Sequence, residues 1–271
     1  MSILMVRVVP QGIIFGADRN VTETRITKSP NLNVITITTG QTQKPKVMKW
    51  PNKKAIIGYT GVATIANIPT EEWLYDFIGR NLEFTDFSSL ANKLKDEVEK
   101  QRKFDEGPND SDALLIHLGG FEERYSKILP TIWFIRNPKI LKKGRYSNIT
   151  KDYLCDNPFW QELKLFDNEN NITQIQIIIK DLAEKFNPFG FQQGIDVDMF
   201  NMIEGSTRMT IDLIEKNVHP DFSTPQTLEQ WKQFMKWSIL TYGAFYETYN
   251  PPGEKYVGGG ADIEALEWPK E

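Results

Sequence analysis

Few residues in this chain are equipped for hydrolytic chemistry. Its 271 residues include two histidines and one cysteine. A histidine-based triad and a multi-histidine metal site are therefore poorly supplied, and an intramolecular disulfide cannot form. His117 lies within the apolar run Leu114-Leu115-Ile116-His117-Leu118, and His219 precedes Pro220 in a loop. Cys155 is followed by the turn-like Asp156-Asn157-Pro158 and reads as a bland residue. With histidine so scarce, the natural base for a serine nucleophile is the α-amine of the chain itself. An α-amine has an unperturbed pKa of about 7.7–8.0, so an appreciable fraction is neutral at cellular pH. With Met1 removed, Ser2 would carry a hydroxyl and such a base on one residue. Methionine removal favours small second residues, and Ser2 is one. Serine after an initiator methionine is also commonplace, so its partners must decide.

Composition narrows the field further. Apolar residues make up 40% of the chain and charged residues 25%, ordinary for a folded soluble protein. The net charge of −4 supplies no basic field for nucleic acid. No apolar run approaches the roughly 20 residues that span a bilayer, and no basic-then-apolar leader opens the chain. We expect a cytoplasmic protein with no nucleic-acid or membrane partner. No phosphate-cradling G-x-x-x-x-G-K-[ST] or dinucleotide G-x-G-x-x-G is present, and no metal or cofactor is expected.

The elements that must position these residues follow from periodicity. Residues 3–9 and 12–18 are apolar runs joined by Pro10-Gln11-Gly12, a strand–turn–strand signal. Val34–Thr39 alternates with period two up to Gly40, and two more runs follow at Lys46–Trp50 and Ala55–Tyr59. Trp73, Leu74, Phe77, Ile78 and Leu82 then recur at helical spacing, as do Leu90, Leu94 and Val98 after Asp86. Strands return at Ala113–Leu118 and Thr131–Ile135. The segment of about 137–195 is irregular, with one helix near 172–185. Helices are predicted over 197–216 and 225–249, the second with Leu228, Trp231, Met235, Ile239 and Tyr242 along one stripe and Pro225 in its first turn. Gly258-Gly259-Gly260 leads into a last strand, Ala261–Leu266. Blocks of strands separated by paired helices predict a layered α+β or sandwich fold, not alternating βαβ units. A single domain with an irregular insertion at about 137–195 is the simplest organisation.

The first sixty residues resemble a proteasome β-type subunit of the N-terminal-nucleophile (Ntn) hydrolases. The matching pieces are Ser2, the strand Ile3–Val9, the turn ending in Gly12, and Ile13-Ile14-Phe15-Gly16-Ala17-Asp18 followed by Val21-Thr22. Lys46-Val47-Met48-Lys49-Trp50 and Ile56-Ile57-Gly58-Tyr59-Thr60-Gly61 continue the match with one inserted residue. Further on, Gly205-Ser206-Thr207 resembles the family's Gly-Ser turn, and Ser238-Ile239-Leu240 resembles the start of its motif carrying a catalytic Asp. That Asp falls by spacing at Tyr246, with Glu247 beside it.

The resemblance implies a four-layer αββα sandwich and an amide hydrolase, a peptidase in a homo-oligomeric, ring-shaped assembly. It implies that Lys46 sits beside the Ser2 hydroxyl and depresses the amine pKa, that Asp18 pairs with Lys46, and that the Gly61 N–H stabilises the oxyanion, helped by the positive end of the following helix. Ser206 and Glu247 complete the hydrogen-bond network around the amine. Departures are also visible: Ser replaces the usual Thr, Asn20 stands where the family often has Arg, and Pro69 interrupts or delays the first helix. Activation is expected to need only removal of Met1. Without the resemblance, Asp18 reads equally as a strand-end turn residue, Lys46 as one surface lysine with Lys44 as its rival, and Gly61 as a strand terminator. Ser206 reads as a helix N-cap and Glu247 as an exposed helix residue. A small acyl-amide hydrolase and a non-catalytic proteasome-like subunit are the alternatives on the same fold.

Overall fold

A computed structural model describes residues 3–28, 35–102, 112–142, 145–163, 168, 171–185, 188–193, 205–206, 209–210, 213, 224–249 and 258–269. Its strands are β1 (Leu4–Val9), β2 (Gly12–Asp18), β3 (Asn20–Lys28), β4 (Ile35–Gln43), β5 (Val47–Lys49), β6 (Ala55–Gly61), β7 (Thr64–Ile65), β8 (Ile68–Pro69), β9 (Leu114–Arg124), β10 (Lys127–Lys142), β11 (Arg145–Asp156), β12 (Phe189–Gln193) and β13 (Ala261–Glu267). Its helices are α1 (Thr70–Arg80), α2 (Phe87–Gln101), α3 (Pro158–Glu162), α4 (Ile172–Glu184) and α5 (Leu228–Tyr249). This is a mixed α/β fold with several antiparallel sheets. The first sheet has the order β12-β1-β2-β13, the second β11-β10-β9-β6-β5, and every neighbour pair is antiparallel. β3 and β4 form a separate two-stranded ribbon, and β7 and β8 a small hairpin.

The chain's opening hairpin explains how the core is divided. Every residue of β1 and β2 is buried, so both faces of this hairpin are covered. Alternate residues of a strand point to opposite faces. Leu4, Val6, Val8, Ile13, Phe15 and Ala17 therefore share one cluster with Val47, Ile56, Ile132 and Phe134 of the second sheet. Ile3, Met5, Val9 and Ile14 join the opposite cluster with Trp231, Met235, Ile239 and Tyr242, the expected stripe of α5. The far face of the second sheet repeats the device. There Ile57, Tyr59, Leu114, Ile116, Leu118 and Ile135 pack on Trp73, Phe77, Leu90 and Leu94 of α1 and α2. Burying such a side chain contributes roughly 1.5–3 kcal/mol each, so these three clusters dominate the fold's stability.

Several expectations need correction. Among its described residues the segment at 137–195 holds more than the one expected helix, which is α4: β10 runs on to Lys142, β11 occupies Arg145–Asp156, and β12 adds an edge to the first sheet. The misleading signals were Asn137 and Pro138. The pairing of β10 with β11 shifts register between Arg136 and Pro138, where a bulge tolerates proline. Buried Asn137 meanwhile accepts the Leu114 N–H at 2.8 Å and donates to the Asp112 carbonyl at 3.0 Å. Leu82 lies beyond α1 and is exposed, because the helix ends at Asn81, whose N–H bonds the Ile78 carbonyl. α5 begins at Leu228, with the Thr227 hydroxyl accepting the Gln230 N–H at 3.2 Å, so Pro225 precedes the helix. The β4 strand continues past Gly40 to Gln43. The helix expected over 197–216 falls largely outside the described residues. Pro69 delays α1 as expected, standing at its N-cap. Among the described residues no helix is long and apolar enough to cross a membrane.

Candidate functional site

Asp18 closes β2, and Ile3 stands opposite it at the start of β1. The two exchange hydrogen bonds: the Asp18 N–H donates to the Ile3 carbonyl at 3.3 Å, and the Ile3 N–H donates to Asp18 Oδ1 at 2.7 Å. Asp18 is fully buried. Its Oδ1 also accepts from Lys46 Nζ at 3.3 Å, and its Oδ2 accepts the Gly258 N–H at 3.4 Å. A buried carboxylate requires such partners, since removing an ion from water is costly unless it is paired and hydrogen-bonded. Ser2 itself lies outside the described residues, joined through its peptide bond to the Ile3 nitrogen that Asp18 holds.

Lys46 comes from the short irregular segment between β4 and β5 and is buried to 2% exposure. Besides Asp18, its ammonium donates to the Asn20 carbonyl. Burial pushes the Lys46 pKa below the ordinary lysine value, opposed by the charges of Asp18 and then Asp262. Of the two candidate lysines, then, Lys46 reaches Asp18. Lys44 instead reaches Glu71 at 2.9 Å, whose other oxygen accepts the Tyr59 hydroxyl at 3.3 Å. Burial, followed by the Glu71 charge, pushes the Tyr59 hydroxyl pKa up.

Gly61 ends β6, opposite Leu114, with φ of +111°. A Cβ there would lie 2.0 Å from the Ala113 carbonyl oxygen, so glycine is required both for space and for backbone conformation. The expected helix does not begin at Gly61. The β7–β8 hairpin intervenes, turning on Ala66 and Asn67 with positive φ, and α1 starts only at Thr70. The charge at its N-terminus is therefore displaced along the chain, and an end effect fades within the first turn.

Glu247 is exposed on α5. Its Oε1 nevertheless lies 3.5 Å from where a Cβ on Gly258 would stand, in the loop whose Gly258 N–H donates to Asp18. The side chain of Tyr246 lies outside the described residues. Ser206 is exposed in a helical stretch, where its carbonyl accepts the Thr210 hydroxyl at 2.9 Å. The described contacts thus unite Asp18 and Lys46, and place Glu247 beside the Gly258 loop that Asp18 also touches.

Two participants were missed from sequence. Gly258 accepts the N–H groups of Arg19 and Asn20 at 3.2 Å each and donates to Asp18. The run Gly258-Gly259-Gly260, with φ of +145°, +71° and +95°, lets that backbone approach Asn20 closely. Three consecutive glycines were the signal available. The other is Asp262 on β13, whose Oδ2 accepts the Lys46 and Val47 N–H groups, both at 2.8 Å. No local pattern marks it.

The remaining reactive candidates are quiet. Cys155 is half-buried on β11, and burial together with Asp156 pushes its thiol up to about 11, which keeps it protonated. His117 is buried within the core, and His219 lies outside the described residues. Among the described residues no cluster of three or more His, Cys, Asp or Glu could hold a metal ion.

No protein-family model matches this sequence, and no curated protein matches it. Among solved structures, Anbu (ancestral beta-subunit) from Yersinia bercovieri is similar at a TM-score of 0.42 and 12% identity, over 98% of this chain and 82% of that chain.

Proposed function

We propose that this chain is a proteasome-like N-terminal serine amide hydrolase, a peptidase built as a single domain in a four-layer αββα sandwich and acting in a ring-shaped homo-oligomer. The observation that carries this reading is the buried Asp18–Lys46 pair, in which Asp18 also holds the Ile3 N–H one peptide bond from Ser2. With Met1 removed, the Ser2 Oγ attacks the carbonyl carbon of an amide while its proton passes to the α-amine. The Gly61 N–H receives the oxyanion. Collapse breaks the C–N bond, and the leaving nitrogen takes the proton back from the α-ammonium. Water then attacks the acyl ester with the α-amine again as base, releasing the acid and restoring the Ser2 hydroxyl. The Lys46 charge keeps the α-amine neutral, because a like charge disfavours its protonation. Ser206 and Glu247 are assigned to the hydrogen bonds around that amine.

The test is intact mass spectrometry of the native protein before and after a β-lactone. We expect a chain lacking Met1 that gains one acyl group, and no adduct in Ser2→Ala. Retention of Met1, or an adduct that persists in Ser2→Ala, overturns the reading. Hydrolysis of small acyl-amides without peptide cleavage would keep the chemistry and replace the substrate class.

A further inference from the structure

The Lys46 side chain must be aimed at a fixed point, yet it springs from a segment without regular structure. The Lys46 carbonyl accepts the Tyr59 N–H at 3.1 Å, tying one side of this segment to β6 of the second sheet. On the other side, the N–H groups of Lys46 and Val47 converge on a single oxygen, Asp262 Oδ2. In an extended strand successive N–H groups point to opposite sides; their convergence makes a small anion-binding concavity of the kind successive backbone amides form. Asp262 fills it. The carboxylate that does so stands on β13, opposite Ala17 and thus beside Asp18 in the first sheet. Seven register pairs fasten β13 along β2, from Ala261–Asp18 to Glu267–Gly12.

We infer that Asp262 is a positioning residue, which anchors the Lys46 backbone to the sheet that carries Asp18 and so fixes the ammonium against Asp18. This rests on the hydrolase reading given above. Lys46 belongs to the second sheet's edge and Asp18 to the first; sheets that pack face to face can slide unless something crosses between them. Asp262 crosses with two charge-assisted hydrogen bonds, stronger than neutral ones. It also adds a second negative charge near the ammonium. The charged and titratable groups gathered here are Asp18 from β2, Asp262 and Glu264 from β13, Tyr59 from β6, Glu71 and Tyr75 from α1, and Lys44 from the same segment as Lys46.

The test compares wild type with Asp262→Asn and Asp262→Ala in two measurements. The first is the rate of Ser2 acylation by a β-lactone as a function of pH. The second is the titration of the Lys46 side chain by NMR of 13C-labelled lysine, with the signal assigned through Lys46→Arg. Asparagine keeps an acceptor oxygen and removes the charge; alanine removes both. Misplacing a reacting group by about an ångström slows chemistry by up to about a hundredfold, so acylation is expected to fall by about tenfold or more in Asp262→Ala. In Asp262→Asn the fall is smaller, and the Lys46 midpoint moves to lower pH because an attractive negative charge is gone. A residue that merely braced the fold would lower the melting temperature and leave the pH profile and Lys46 midpoint in place; that result overturns the inference. If Asp262→Ala does not fold, Asp262→Asn decides by the same two measurements. If wild type is not acylated at Ser2, the hydrolase reading fails by itself, and an unchanged Lys46 midpoint in Asp262→Asn then separately overturns the positioning role.

Discussion

His117 should make this protein acid-sensitive well above the range where carboxylates titrate. Its ring is fully buried in the inter-sheet region, stacked on Phe134 at 3.9 Å with 3° between planes. Among the described residues neither ring nitrogen has a hydrogen-bond partner. Burial therefore holds its pKa down to about 3, against an ordinary 6.5. Between those values the unfolded chain binds a proton that the native protein refuses, so stability is full above pH 6.5 and is lost as pH falls toward 3. At about 1.36 kcal/mol per unit, the loss from this one group is about 2 kcal/mol between neutral pH and pH 5. The assay is urea denaturation of wild type and His117→Leu at pH 7 and pH 5. Leucine approximates the volume and has nothing to protonate. It also removes a buried N–H left without an acceptor, a penalty of about 1–3 kcal/mol, so the variant should be at least as stable as wild type at pH 7. Its loss between pH 7 and pH 5 should be smaller than the wild type's by about 2 kcal/mol. An identical loss in both proteins would refute the reasoning, since the titrating group would then lie elsewhere.

Two further outcomes are expected. Asp18→Ala takes the carboxylate away from the buried Lys46 ammonium and the Ile3 N–H and should destabilise by about 3–5 kcal/mol; with Lys46→Met in a double-mutant cycle, the two losses should fall well short of adding, and simple additivity in denaturation would argue against a coupled pair. Gly61→Ala must place a Cβ at the Ala113 carbonyl in a left-handed conformation and should cost about 1–3 kcal/mol or more. Gly79→Ala, inside α1 where an added Cβ would meet no described atom within 4 Å beyond the helix's own nearby backbone, should stabilise by up to about 1 kcal/mol; melting temperatures that move together would contradict both.

Much of the scaffold was legible along the chain because its signals are local. The apolar runs of β1 and β2 around their turn and the helical spacing of Trp73, Phe77, Leu90 and Leu94 are consequences of backbone geometry over neighbouring residues, and they read correctly. The Asp86 cap of α2 was equally visible, its carboxylate accepting the Ser89 N–H at 2.7 Å. β10 and β11 were not, because an Asn and a Pro at a bulge look like loop signals unless the partner strand is known. The chemistry divides the same way. The resemblance of the first sixty residues put Asp18 and Lys46 forward, and the shortage of histidine made an α-amine the natural base. Only the tertiary structure shows that Lys46, and not Lys44, reaches Asp18, because that depends on which side chain the bend before β5 turns inward. Only packing brought Gly258 to Asp18 across 240 residues and Asp262 to Lys46 across 216. A hydrogen bond forms between groups that meet in space, and sequence separation carries no record of that meeting.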